Sequence, residues 1–148
     1  LLTHMPVRLA VVVVQVLIIL AIGTALGAVE ASQILPAMGV SLLGLAMFGA
    51  LGYLLGGVMP GPDSASNVGT FVQLAAFFLS GLVFPLEVFP DAVEVFLTYM
   101  PFTFFADLLS GVLMHVDTKH AWWLSAIVIV VTAIVISMIA ARIFKWEE

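Results

Sequence analysis

The run AWWLSAIVIVVTAIVISMIAA, from Ala121 to Ala141, contains no charged residue over 21 positions. A helix rises about 1.5 Å per residue, so this run would extend across the roughly 30 Å of a bilayer's hydrocarbon core. Three earlier runs are also uncharged: Leu9–Val29, Ile34–Met59 and Val68–Phe84. Backbone polar groups in lipid must be hydrogen-bonded within the chain, so each run predicts a membrane-spanning helix.

The composition agrees with burial in lipid rather than in a soluble core. Of the 148 residues, 64% are hydrophobic and only 9% are charged, whereas soluble domains carry about 25% charged residues. The chain has only four Lys and Arg residues and a net charge of −5. This excludes a surface that binds the phosphates of a nucleic acid. Cysteine is absent, and the histidines at positions 4, 115 and 120 lack the spacing of a metal site, so no metal is predicted.

Positive charges near the ends of the runs predict the orientation. Arg8 precedes the first run, and Arg142 and Lys145 follow the last. By the positive-inside rule, both ends are predicted to be cytoplasmic in a multi-pass protein of the plasma membrane. The sequence therefore predicts an all-α polytopic bundle, a single transmembrane domain over residues 1–148. Because the sequence does not begin with Met, we expect it to be part of a longer protein.

The segment 85–120, predicted to lie outside, is neither a clean span nor a polar loop. It is partly apolar and interrupted by Pro85, Pro90 and Pro101. Irregular backbone is tolerated within a membrane where it packs against protein. We predict short helices that re-enter the outer leaflet, with interfacial helices lying flat as the alternative.

Small residues predict where helices approach closely. Gly23 and Gly27 in the first run and Gly52 and Gly56 in the second are spaced as GxxxG pairs. Such pairs let neighbouring backbones meet, so we expect helix packing at these faces.

The third run has a polar and aromatic side. At 100° per residue its members share one strip of a helix, while the other side is aliphatic. Polar groups in a membrane helix face protein or a water-filled cavity. The strip therefore predicts either a substrate pathway or a contact between helices, and Gln15 of the first run is a further pathway candidate. The strip consists of Thr70, Gln73, Phe77, Ser80 and Phe84.

Catalytic motifs are missing from the sequence. There is no GxxxxGK[ST] phosphate-binding loop and no HExxH zinc motif, so no ATPase or metalloprotease site is predicted. Every acidic residue lies at or beyond the end of a predicted span, which disfavours coupling through a buried carboxylate unless Asp107 enters the membrane.

Two apolar stretches interrupted by prolines resemble a known family. They are FLSGLVFPLEVFP, Phe78–Pro90, and YMPFTFFAD, Tyr99–Asp107. Together they resemble the membrane (permease) subunit of type-2 ATP-binding-cassette (ABC) exporters in its C-terminal portion. The departure is Ser110, where the family often has Arg.

The resemblance implies a permease of six spans, of which this chain has the last four. It also implies an alternating-access pathway, a second permease subunit in a homo- or heterodimer, and a separate ATPase that binds ATP and Mg. Segment 85–120 would be the family's re-entrant helices, with Pro85, Pro90, Pro101 and Asp107 at an outer gate. The alternatives are a self-contained four-span dimeric transporter or a non-transporting scaffold. The sequence does not specify the substrate.

Overall fold

A computed structural model describes residues 5–144, and these residues fold into helices without a strand. The described residues do not include Lys145 or the chain ends, and the side chain of Arg8 is not described either. The orientation predicted from Arg8 and Lys145 therefore rests on the sequence alone. Two short 3-10 turns, Ala31–Gln33 and Leu86–Val88, separate some of the helices. The helices are α1 Met5–Ala25, α2 Ile34–Val58, α3 Pro62–Leu79, α4 Asp91–Thr98, α5 Pro101–Met114 and α6 Trp122–Phe144.

The all-α membrane bundle predicted from the sequence is confirmed. By length and composition, two helices can cross a membrane, Ala31–Val58 and Trp122–Ile143, and the bent pair α4–α5 would make a third if it forms one span. The apolar part of α1, Leu9–Ala25, is shorter than a full span. The assignment of four spans therefore stays a prediction.

Two helices end earlier than predicted, and in both cases a glycine follows the end. After α1, Gly27 adopts a φ of 72°, and the amide of Ala28 bonds back to the Gly23 carbonyl at 2.8 Å. This Schellman-type ending reverses the chain before Val29. After α3, Gly81 has a φ of 86°, so the predicted run to residue 84 is not one helix.

The core of the bundle lies where α2, α5 and α6 meet. The most extensive helix pair is α2 with α6, and α5 packs against both. Met47 and Ile129 are almost completely buried. Each of the three helices contributes two side chains to one apolar cluster: Val40, Met47, Phe104, Leu108, Ile129 and Ala133.

Helix α5 runs antiparallel to α2. Gln33, just before α2, bonds to the last carbonyls of α5, whereas Phe102 at the start of α5 stacks on Phe48 with ring centroids 5.5 Å apart. Between these ends, the ring of Phe105 lies against Gly44. Glycine is needed at this position because any Cβ would overlap that ring.

The glycines predicted to mediate packing are not the ones that do. A Cβ at Gly52 or Gly56 would meet nothing within 4 Å, and the only contact at Gly23 is Val29 of the same turn. Within residues 5–144 the close approach of one helix to another occurs at Gly44, outside either GxxxG pair. The expectation of packing at Gly52 and Gly56 was therefore wrong for contacts within this chain.

Gly44→Ala is expected to lower the free energy of unfolding by about 1–3 kcal/mol, because the added methyl group overpacks the contact with Phe105. The matched control is Gly52→Ala in the same helix, where the space is open and alanine favours helix by about 0.5–1 kcal/mol. Denaturant titration of both variants in detergent measures the difference. Equal stabilities would contradict the seating of α5 against α2.

Candidate functional site

Three of the predicted strip residues form one exposed side of α3. Thr70, Gln73 and Phe77 are all exposed, and their spacing places them on the same face of the helix. The Thr70 hydroxyl donates to the Ser66 carbonyl at 2.9 Å. Ala76 is the only buried residue of α3, so most of this helix lacks cover from the rest of the described chain.

The other two strip residues do not continue that face. Ser80 is buried at the C-terminal end of α3 and donates its hydroxyl to the Phe77 carbonyl at 3.3 Å. Phe84 follows the helix and stacks on Phe78, with ring centroids 6.0 Å apart. Phe78 in turn meets Phe77 edge-on at 5.6 Å. The helical-wheel prediction was wrong for Phe84, which lies beyond the end of the helix but remains joined to the strip through these rings. Ser80 differs from the other strip residues in being buried.

Gln15 is exposed on α1. The main partner of α1 is α2, and no extensive contact joins α1 to α3 within the described residues. The structure therefore does not bring Gln15 together with the strip on α3.

Prolines set the helix boundaries of segment 85–120, as the sequence predicted. Pro85 precedes the turn Leu86–Val88, Pro90 precedes α4, and Pro101 is the first residue of α5. The axes of α4 and α5 meet at 73°. At this corner the buried Thr103 hydroxyl donates to the Leu97 carbonyl at 2.6 Å, which also accepts from the Met100 amide, so the side chain joins the start of α5 to the end of α4. Re-entry of this segment into the bilayer stays a prediction.

Asp107 faces a partner that the sequence did not indicate. Its Oδ2 lies 2.6 Å from Nδ1 of His120, and the two side chains are only 16% and 11% exposed. The His120 ring also lies against Phe104, with centroids 4.1 Å apart. This pair ties the connector between α5 and α6 back onto α5.

An ionic contact lies one residue earlier in the connector. Lys119 Nζ is 2.7 Å from Glu87 and 3.6 Å from Glu94. The hydrogen bond from Lys119 lowers the pKa of Glu87, and the bond to Glu87 raises the pKa of Lys119. The contribution of Glu87 is therefore lost as the pH falls through its lowered pKa, and that of Lys119 as the pH rises through its raised pKa.

Gln33 joins the beginning of α2 to the end of α5. Its side-chain amide donates to the carbonyls of Val112 at 2.8 Å and Leu113 at 3.2 Å, and lies 3.1 Å from His115 Nδ1. Its Oε1 accepts from the Glu30 amide at 2.7 Å. Helix α5 ends at His115, which adopts the left-handed conformation. The side chain of Gln33 therefore supplies hydrogen bonds that a further turn of α5 would have given to these carbonyls.

The described part of the chain contains no group of three or more His, Cys, Asp or Glu residues that could hold a metal ion. The polar features considered as candidate sites are the exposed strip on α3 and the hydrogen-bonded connections around α5. The first is open to a partner or to water, and the second holds the connector against the bundle.

Comparison with known proteins gave one result. The sequence model of a family described as ABC-2 family transporter protein matches residues 2–142. The searches of curated proteins and of solved structures found no significant match.

Asp107→Ala is expected to lower the free energy of unfolding by about 1–3 kcal/mol, because it leaves the partly buried imidazole of His120 without its partner. Asp117→Ala removes an exposed carboxylate from the same connector and is expected to have little effect. Thermal or denaturant unfolding in detergent compares them. If the two variants unfold alike, the pair with His120 does not secure the connector.

Gln33→Leu is expected to destabilise the chain by a similar amount, about 1–3 kcal/mol, because two carbonyls at the end of α5 lose a donor. Gln73→Leu, an exposed glutamine in α3, is the matched control and should leave stability almost unchanged. Hydrogen exchange at residues 112–115 provides a local readout. Unchanged protection there in Gln33→Leu would show that the glutamine does not hold the end of α5.

Proposed function

Because the chain belongs to the ABC-2 family of transporter proteins, we propose that it is the membrane-spanning permease part of an ATP-driven exporter. The observation that carries this proposal is the exposed face of Thr70, Gln73 and Phe77 on α3. An amide and a hydroxyl in a membrane helix face protein or water rather than lipid. The phenylalanine beside them adds apolar surface, so the face suits an amphipathic substrate.

The proposed pathway lies between two permease subunits. Most of α3 is uncovered within the described chain, and the open face at Gly52 and Gly56 of α2 also has no neighbour. Small residues and polar groups are the features by which membrane helices associate. A second subunit, identical or different, would cover part of these surfaces and leave the strip beside a shared cavity, with Gln15 as a further candidate on α1.

The energy for export would come from a partner. The sequence contains no phosphate-binding loop, so ATP and Mg would bind to a separate ATPase subunit or domain. Closure of that partner would push the cytoplasmic ends of the helices. In the proposed topology of four spans in the plasma membrane, these ends are the region before α1, the turn between α2 and α3, and the end of α6, where Arg142 lies in the last turn.

The outer gate in this mechanism is the unit formed by α4, α5 and the connector. Its bend at Pro101, the Asp107–His120 contact and the ionic contact of Lys119 define the arrangement of this unit in the structure. Alternating access requires two states with different contacts. We propose that these contacts break or re-form between the inward- and outward-open states.

The double variant Thr70→Val, Gln73→Leu is expected to reduce substrate-stimulated ATP hydrolysis by the assembled transporter about tenfold or more, since each 1.4 kcal/mol of lost interaction with substrate is a factor of ten. The measurement uses the complete transporter in lipid vesicles, with a panel of amphipathic lipids and dyes as probes. Protein amount and melting temperature should remain those of the unaltered chain.

Ser64→Ala is the matched control, since this exposed hydroxyl of α3 lies outside the strip. It should leave stimulation unchanged. Equal stimulation in the double variant and the control would show that the strip is not the pathway. Failure of the chain to purify with any ATPase would refute the exporter itself.

A further inference from the structure

Two contacts between α2 and α5 show how far along α2 the segment 85–120 reaches. The side chain of Gln33, just before α2, bonds to the end of α5, whereas Phe102 at the start of α5 stacks on Phe48. At about 1.5 Å per residue, Phe48 lies about 21 Å along α2 from its first residue, Ile34. The beginning of α5 is therefore beside the second half of α2, a helix of 25 residues.

This position is deep in a membrane that α2 crosses. Helix α2 is long and apolar enough to cross a bilayer, and its 25 residues extend about 38 Å. The hydrocarbon core is roughly 30 Å thick, so about 8 Å of an upright α2 lies outside it. Even with this whole excess on the outer side, Phe48 and the stacked Phe102 are about 13 Å inside the core.

Helix α4 stays near this depth because it turns sharply away from α5. The two axes meet at 73°, and α4 has only eight residues. A helix of that length extends about 12 Å, and at this angle its two ends differ by only about 4 Å in position along α5. The acidic residues in the first turn of α4, Asp91 and Glu94, are therefore close to the level of Phe102.

Charged side chains on and beside α4 are exposed in the structure. Lys119 contacts Glu87 and Glu94; the lysine side chain is 36% exposed, and those of the two glutamates are 61% and 31% exposed. Asp91 is exposed as well. Charged groups at membrane depth are costly in hydrocarbon and face protein or water instead. Since the described part of the chain leaves these groups partly uncovered, lipid does not surround this side of α4.

The connector between α5 and α6 shows from which side water reaches these groups. It begins at His115, at the outer end of α5, and returns along that helix until His120 lies against Phe104, with ring centroids 4.1 Å apart. Lys119 precedes His120 and thus approaches α4 from the outer side of the proposed topology. The charged side of α4 therefore faces outwards.

The opposite side of α4 is apolar. Val95, Phe96 and Tyr99 are 58%, 66% and 71% exposed, and at 100° per residue they share one face, with Glu94 on the other side of the helix. A helix that lies between water and hydrocarbon has this amphipathic arrangement. Both faces of α4 are thus explained if water is above it and the apolar interior of the membrane is below.

We propose that α4 is the floor of a water-filled vestibule that opens on the outer side of the membrane, with α5 and the connector as one wall. Water enters to about the middle of the bilayer and solvates the contact of Lys119 with Glu87 and Glu94. The inference rests on the topology of the proposed function, in which the vestibule is the outer part of the export pathway.

Cysteine accessibility tests the vestibule, because the sequence has no cysteine of its own. Asp91→Cys and Glu94→Cys are treated in intact cells with a trimethylammonium methanethiosulfonate, which does not cross membranes. Thiols react as thiolates, which form in water and not in hydrocarbon, so both variants should react within about tenfold of the rate of Asp117→Cys in the exposed connector.

Ile134→Cys is the matched control for depth. Ile134 is 53% exposed on α6, and its neighbour Ala133 belongs to the same core cluster as Met47 of α2. The side chain is therefore at a depth similar to that of Phe48 but faces lipid. Its thiol should react at least about a hundredfold more slowly than those at positions 91 and 94.

Reaction at positions 91 and 94 only after the cells are permeabilised would place the opening on the cytoplasmic side and overturn the proposal. Absence of reaction in variants that keep their melting temperature would also overturn it, because lipid or a partner subunit would then cover α4. Labelling requires neither substrate nor ATP hydrolysis. A chain that labels as expected but purifies with no ATPase would keep the vestibule and lose the proposed export function.

Discussion

The seating of α5 between α2 and α6 positions the polar contacts that join this helix to the rest of the bundle. Phe105 against Gly44 fixes the depth of α5 along α2, and Phe104 and Leu108 join it to the common core. Because interiors are close-packed and have few alternative arrangements, this contact also determines what surrounds α5. Asp107 then reaches His120, and the carbonyls at the end of α5 reach Gln33.

The sequence predicted the helices better than their contacts. Uncharged runs identify helices in lipid because the solvent leaves the backbone no other option, and prolines identified the breaks at Pro85, Pro90 and Pro101. Helix ends were less predictable, since Gly27 and Gly81 end helices within apolar runs. The packing glycine was missed because Gly44 contributes to no GxxxG pair, and only the position of Phe105 shows why it is needed.

The candidate site was partly predictable for a similar reason. Thr70, Gln73 and Phe77 share a face because of helical periodicity alone, which a sequence shows directly. Phe84 departs from it because the helix has already ended, and Ser80 at the helix end is buried. His120, Lys119 and Gln33 could not be found in this way, since each meets a partner that depends on the path of the connector or of α5. Their charges and amides are ordinary in the sequence and become informative only in the fold.

The exposed face of α3 has a consequence for how cells would regulate the amount of this protein. A lone copy in the proposed topology would present Gln73 and Thr70 to hydrocarbon, which is unfavourable until other subunits cover them. Unassembled chains would then be the ones that quality-control proteases remove. The stoichiometry of the complex would thus be enforced by degradation of surplus subunits, without any need for matched rates of synthesis.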